Sequence, residues 1–172
     1  MKTIGLYQRI SEFGKSTRDK QTEISVAEVW HLHEHISLRY EVLETTNVLR
    51  SFIKSKDLKL IVAKGTKVLQ EQIKDMEKII KEYGIPIPAR PPFDSKSISR
   101  IEVINDRYIF RRIFRGIQTF IEHHAAAFIQ STSPKLREQF KKFLFKELEL
   151  YDMLMEYGKQ KGFLFVPPMY RE

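Results

Sequence analysis

Four glutamates could act as metal ligands, because they occupy equivalent positions in a pattern that repeats after 78 residues: Glu44 with Glu122, and Glu71 with Glu149. The di-metal centre of ferritin-like bundles takes a glutamate from each of two helices and a Glu-x-x-His motif from each of the other two. Lys74 and Asp152 stand where the two histidines should be. We therefore expect no intact di-iron centre, and the simpler interpretation is that these glutamates are exposed or pair with lysines.

The histidine cluster HLHEH is a second candidate for metal chemistry. Glu28, His31 and His35 are spaced to share one face of a helix. A histidine pair at i and i+4 can bind a metal such as zinc, with further ligands from His123 or His124 and the adjacent Glu122. Because His31 and His35 continue the apolar stripe of Leu38 and Val42, packing or a pH-sensitive contact surface is the favoured alternative.

An arginine-rich segment is the third candidate, and its members are Arg100, Arg107, Arg111, Arg112 and Arg115. Tyr108, Phe110 and Phe114 alternate with these arginines, and arginines combined with aromatic side chains can bind nucleic acid. The favoured interpretation is core aromatics beside a solvated basic face. No nucleophile motif or glycine-rich phosphate loop occurs, so we predict no catalytic residue, no cofactor and no small-molecule substrate. Gly65 and Gly116 lie inside predicted helices, where we expect them to allow close packing.

Four long amphipathic helices position these residues, at about 26–53, 57–83, 100–130 and 134–161. Their starts carry N-cap signals, namely Ser25 with Glu28, Ser55, Ser99 with Glu102, and Ser133 followed by Pro134. Gly84 and Gly162 provide the stop signals of the second and fourth helices. The expected core stripe of the fourth helix is Leu136, Phe140, Phe143, Leu144, Leu148, Tyr151 and Leu154.

The first helix carries two apolar stripes. One stripe is Val29, Leu32, Ile36, Tyr40 and Leu43, and the other is Leu38, Val42, Leu49 and Ile53. A helix that is apolar on two sides is mostly surrounded. Either this helix is central in the bundle, or its second stripe meets a partner subunit.

The fold class that follows is all-α: a ferritin-like four-helix bundle made of two pseudo-repeated helical hairpins joined by a long crossover. Residues 1–24 are predicted to form an N-terminal arm, and residues 25–172 a single domain. Within that domain we expect a hairpin at 25–84, the proline-rich crossover at 85–97, a hairpin at 98–162 and a packed C-terminal tail at 163–172.

Composition limits the possible classes of function. The 172-residue chain has no cysteine, which excludes disulfides, thiolate metal sites and a cysteine nucleophile. No segment has the pattern of a signal peptide or the length of a membrane span, so we expect synthesis inside the cell and no membrane association. The net charge of +8 is spread along the helices among 22 acidic residues, and we expect no nucleic-acid partner.

Several segments resemble the spore coat protein F-like group of endospore-forming Firmicutes and a related family of ferritin-like bundle proteins from bacilli. They are SPKLREQF from Ser133, ELYD from Glu149 and KGFLFVPPMY from Lys161; SVAEVxxL from Ser25 resembles the related family. The resemblance covers about Ser25 to Tyr170.

The resemblance implies a structural or interaction protein of the spore coat, with no characterised activity. Such a protein would be made in the mother-cell cytoplasm and then assembled on the spore together with other coat proteins. Longer relatives carry two bundles in tandem, so a single-bundle chain is expected to form a homodimer. The alternative function is a metal-binding ferritin-like protein, of the di-iron or zinc type.

Overall fold

The computed structural model describes residues 14–90 and 104–164, and within these two ranges all regular secondary structure is helical. The helices are α1 (Thr17–Glu23), α2 (Val26–Arg50), α3 (Lys56–Glu82), α4 (Asp106–Gln130) and α5 (Pro134–Lys161). None of these helices is long and apolar enough to cross a membrane.

The helix ends follow local capping signals. Ser25 and Glu28 form the capping box of α2, and the Ser55 and Ser133 side chains accept from backbone N–H groups at the starts of α3 and α5. Gly84 and Gly162 adopt φ of +61° and +62°, a left-handed conformation that glycine adopts without steric cost. The capping predictions for α2, α3 and α5 are therefore confirmed.

The start of α4 differs from the prediction. The helix begins at Asp106, and the Asn105 side chain caps it by accepting from Tyr108 N at 3.0 Å. Residues 104 and 105 are not helical, so a continuous helix from about residue 100 is wrong. The capping pair predicted at Ser99 and Glu102 lies outside the described residues, as do residues 1–13 of the arm, 91–97 of the crossover and 165–172 of the tail.

Contacts between helix ends give the directions of the helices. At one end of the bundle, Asp106 accepts from the backbone N–H groups of Lys54 and Ser55, both at 2.8 Å. At the other end, Lys135 pairs with Glu82 at 2.6 Å. Helices α2 and α3 are therefore antiparallel, as are α4 and α5, whereas α3 and α4 run parallel. Residues 83 and 105 therefore lie at opposite ends of the bundle.

The hydrophobic core falls into two clusters. One contains Met76, Ile80, Leu136 and Phe140, and the other contains Leu58, Val62, Ile109 and Leu154. Phe163 and Leu164, the described part of the C-terminal tail, pack against the second cluster. Buried polar side chains from α2 and α4 lie against Phe140 and Phe143 of the first cluster.

Two details of the predicted core change. Leu148 is 39% exposed, so its place in the core stripe of α5 is wrong, whereas Glu147 is 2% exposed and takes the buried position. In the second apolar stripe of α2, Leu49 and Ile53 are buried in the second cluster, whereas Leu38 and Val42 are half-buried.

Candidate functional site

A buried ion pair lies at the middle of the bundle. Arg39 of α2 and Glu147 of α5 have side chains only 4% and 2% exposed, and Arg39 Nη2 donates to Glu147 Oε1 at 2.5 Å. The same Nη2 lies 2.6 Å from His124 Nε2 of α4. The guanidinium also stacks over the Phe120 ring, with Cζ 3.7 Å from the ring centroid. The pair therefore joins three helices through one charged group.

A second histidine lies against this group. The His35 ring stacks on the His124 ring with centroids 5.1 Å apart, and the Phe140 ring packs against His35 with centroids 5.0 Å apart. His35 Nδ1 lies 2.7 Å from the backbone carbonyl of His31. Both His35 and His124 are completely buried. The site is thus a layer of two imidazoles, one guanidinium and one carboxylate inside an apolar bundle.

Hydrogen bonds assign the tautomers of both buried histidines. A guanidinium only donates, so His124 Nε2 must accept from Arg39 and its proton is on Nδ1. A carbonyl only accepts, so His35 carries its proton on Nδ1 and has a lone pair on Nε2. Among the described residues, His35 Nε2, His124 Nδ1 and Arg39 Nε are buried and have no hydrogen-bond partner. These unpaired atoms are unusual, since nearly all buried polar groups are paired.

Burial controls the protonation of this layer. Burial, together with the positive charge that a protonated His124 would add, lowers the pKa of His35 to about 2. Burial and the Arg39 charge lower the pKa of His124 to about 4, against the stabilisation that the Glu147 carboxylate would give to the protonated ring. Burial by itself would raise the pKa of Glu147, but Arg39 and His124 hold it below its ordinary value. At neutral pH the layer therefore holds two neutral imidazoles and one neutralised ion pair.

The protonation and the charge of this layer limit the acid–base and metal chemistry that these four side chains can perform. Efficient general bases have a pKa near the working pH, and both buried imidazoles fall well below it. A cation bound by His124 and Glu147 would lie beside the Arg39 guanidinium, which already occupies both groups and repels positive charge. Within the described residues, no three histidine or carboxylate side chains are grouped to hold a metal ion.

The four repeat-related glutamates do not form a centre. Glu71, Glu122 and Glu149 are exposed and Glu44 is only half-buried. Glu149 pairs with Lys146 at 2.9 Å. The favoured interpretation is that these side chains are exposed or pair with lysines. It describes Glu71 and Glu122, which are exposed, and Glu149, which is exposed and also has a lysine partner. The reason is angular: on α5 the residue that faces the interior is Glu147, two positions before the repeat-matched glutamate.

Glu28 is a helix cap rather than a ligand beside His31 and His35. Its carboxylate accepts from Ser25 N at 2.8 Å and from the N–H groups of Thr132 and Ser133 at 2.9 and 2.7 Å. Burial acts to raise its pKa, but these N–H donors hold the pKa below the ordinary value. Glu28 therefore stabilises the starts of both α2 and α5. His31 is half-buried and lies 2.9 Å from Gln130 Oε1.

The arginine-rich segment is a solvated face backed by core aromatics. Arg107, Arg111, Arg112 and Arg115 are exposed, and Arg100 lies outside the described residues. Phe110 is 1% exposed, and Phe114 stacks on Tyr151 with centroids 5.1 Å apart. These two phenylalanines therefore face the bundle and are not available to stack on bases. Tyr108, the third aromatic expected in the core, is 40% exposed, so that prediction is wrong for Tyr108.

Sequence reasoning missed Arg39 and Glu147. Glu147 could have been found, because Phe140, Phe143, Leu150 and Leu154 flank it at heptad spacing and so predict a buried position. Arg39 had a weaker signal, as it follows Leu32 and His35 at the same spacing. An isolated charge at such a position is usually taken as exposed.

Solved structures with similar folds come from several bacteria. A putative spore coat protein from Bacillus halodurans is 18% identical, with a TM-score of 0.77 over 87% of this chain and 96% of that one. A conserved hypothetical protein from Mycobacterium tuberculosis is 10% identical, with a TM-score of 0.67 over 77% of this chain and 98% of that one. A DUF305 fragment from Deinococcus radiodurans is 12% identical, with a TM-score of 0.66 over 80% and 98%. At these identities the likeness establishes the fold alone.

Comparison with curated proteins gave no match. A family model matches residues 12–172, which is nearly the whole chain. The chain therefore belongs to the family of proteins of unknown function DUF3231.

Proposed function

We propose that the protein is a structural or interaction component of the spore coat, without catalytic activity, that acts through its surface. The observation that carries this proposal is the fold it shares with the Bacillus halodurans protein over 87% of this chain. The segments that resemble the spore coat protein F-like group support the same reading. The protein would be made in the mother-cell cytoplasm and assembled with other coat proteins on the spore.

The interior supports a scaffold derived from a ferritin-like plan. Its helix directions, two antiparallel hairpins with one long connection, are those of ferritin-like bundles, and the 78-residue repeat fits two related hairpins. Arg39 and Glu147 neutralise each other in the bundle core, the region in which ferritin-like proteins hold their metal ligands. A scaffold needs a stable shape rather than a reactive centre, and this neutralised pair fits that need.

Localisation during sporulation tests the coat proposal. The protein fused to a fluorescent protein is expressed in a sporulating bacillus, with the free fluorescent protein as the control. The fusion should be diffuse in the mother cell, then form a shell around the forespore, and appear in coat extracts of purified spores. A fusion that stays diffuse and is missing from coat extracts would overturn the proposal.

The surface that we propose for homodimer formation lies at the start of α2. Val26 is 88% exposed and Trp30 is 60% exposed, one helical turn apart on the same face. Ile129, at the end of α4, is 74% exposed and lies at the same end of the bundle, where His31 contacts Gln130. Exposed large apolar side chains grouped in this way are typical of interaction sites. A second copy of this chain is the occupant we propose.

Light scattering after size-exclusion chromatography tests the dimer. The unmodified protein should have twice the chain mass, and Trp30→Glu should be monomeric. Phe145→Glu is the matched control, because Phe145 is an exposed aromatic of α5, at 58% exposure, outside this surface. Trp30 is also the chain's single tryptophan, so its fluorescence should shift to shorter wavelength as concentration rises. A monomer at all concentrations, or a dimer that survives Trp30→Glu, would refute this surface.

A further inference from the structure

A cavity of about 300 Å³ lies among α2, α3, α4 and α5, next to the buried ion pair. Its walls are mainly apolar and include Val62, Leu69, Ile113, Ile117, Phe120 and Leu150. This volume is at the lower end of the range of small-molecule sites. Apolar cavities of about half that size already bind molecules as large as benzene. The cavity is therefore large enough for a small ligand.

Two glycines in helix interiors keep this space open. A Cβ atom at Gly116 would meet nothing within 4 Å, and one at Gly65 would meet only Leu150 at 3.9 Å. The expectation that Gly116 allows close helix packing is therefore wrong, because no neighbour approaches it. Glycine inside a helix costs about 1 kcal/mol relative to alanine. Here the missing side chains leave room in the cavity that both residues line.

The inner end of the cavity offers one hydrogen-bond donor. Arg39 and Glu147 line it, and Arg39 Nε–H is buried without an acceptor among the described residues. The exposed residues Glu41, Thr45 and Arg112 also line the cavity and mark its mouth between α2 and α4. A ligand atom that accepts from the Arg39 guanidinium would add an acceptor to a group whose hydrogen-bond donors the protein does not all pair.

Charge decides what kind of acceptor fits. The Arg39 charge is already balanced by Glu147 at 2.5 Å, so a second anion at the inner end would face the Glu147 carboxylate in an apolar environment. A neutral carbonyl or ether oxygen accepts the same hydrogen bond without this repulsion. The apolar walls disfavour a ligand with further polar groups, because those groups would be buried without hydrogen-bond partners.

We propose that the cavity binds a small, uncharged, largely apolar molecule with one carbonyl-type acceptor, held by the Arg39 guanidinium. This inference does not depend on the spore-coat proposal, because it rests on the interior of the bundle and not on its surface. Its failure would leave the coat and dimer experiments unaffected.

Two seven-carbon probes test the proposal: 2-heptanone, which is neutral, and heptanoate, which is an anion at pH 7.5. Binding is followed by the amide NMR signals of Gly65 and Gly116 during titration. The ketone should produce saturable shifts at both glycines, and heptanoate should bind at least tenfold more weakly. Absence of saturable shifts with 2-heptanone, or equal binding of the two probes, would overturn the proposal.

Substitutions separate cavity binding from non-specific adsorption. Gly116→Leu fills the space with a better helix former and should abolish binding of 2-heptanone while the protein keeps its melting temperature. Thr119→Leu is the matched control, because it adds the same side chain at an exposed position of α4 and should bind the ketone like the unmodified protein. Unchanged ketone binding in Gly116→Leu, monitored at the Gly65 amide, would refute the cavity as the site.

Discussion

Removing one member of the buried ion pair should destabilise the protein far more than removing both. Glu147→Leu leaves the Arg39 guanidinium, 4% exposed, without a counter-charge. Two unit charges about 4 Å apart interact by about 4 kcal/mol at an effective dielectric constant of about 20. Breaking buried pairs typically costs about 3–5 kcal/mol. We therefore expect Glu147→Leu to lower the free energy of unfolding by about 3–5 kcal/mol.

The double variant Arg39→Met/Glu147→Leu should recover most of this loss. Both charges are then replaced by apolar side chains of similar length, and such exchanges are often neutral or stabilising. The remaining penalty would come from His124 Nε2, which loses its donor. The effects of the two substitutions on the free energy of unfolding should therefore be strongly non-additive.

Urea unfolding followed by circular dichroism measures these free energies, with the single variants, the double variant and the unmodified protein compared in one cycle. Equal slopes against urea show that the change is in stability and not in the compactness of the unfolded chain. Additive losses, or a Glu147→Leu variant as stable as the unmodified protein, would mean that the pair is not buried as described.

Three further predictions concern pH, packing and capping. Because the pKa values of His35 and His124 fall to about 2 and about 4 on folding, the unfolded chain binds more protons below about pH 6.5. The free energy of unfolding should therefore be highest above that pH and should fall as the pH drops toward 4, by up to about 1.4 kcal/mol per pH unit for each histidine. Urea unfolding at a series of pH values measures this dependence. Gly158→Ala should cost about 1–3 kcal/mol, because its Cβ would lie 2.5 Å from Phe110 Cζ, measured by thermal unfolding. Glu28→Ala should cost about 1–3 kcal/mol, because it leaves part-buried N–H groups at two helix starts without their acceptor, again by urea unfolding.

Matched controls accompany these three measurements. His33→Asn changes an exposed histidine and should leave the pH dependence intact, whereas His124→Asn should reduce it. Gly65→Ala has room for its methyl group and should be neutral or stabilising. Glu71→Gln changes an exposed glutamate and should have little effect. The reasoning fails if any control loses as much stability as its test variant.

Local interactions determine where most of these helices begin and end, without help from tertiary contacts. The N-caps Ser25, Ser55 and Ser133 and the stop at Gly162 depend on neighbours only three or four residues away, so sequence alone places them. Long apolar periodicity predicted the helices in the same way. The start of α4 was misplaced because a second local cap, Asn105, begins the helix. The next residue, Asp106, accepts from Lys54 and Ser55, a contact between residues far apart in the chain.

The site depended on tertiary structure, because burial at a helix position is set by where the neighbouring helices lie and not by the residue itself. Leu148 and Glu147 are adjacent in sequence, yet the leucine faces outward and the glutamate inward. Glu147 can be buried only because Arg39 of α2 and His124 of α4 meet it there. The sequence by itself determined where the helices begin and end; the angle at which they pack decided which charges are buried and where the cavity forms.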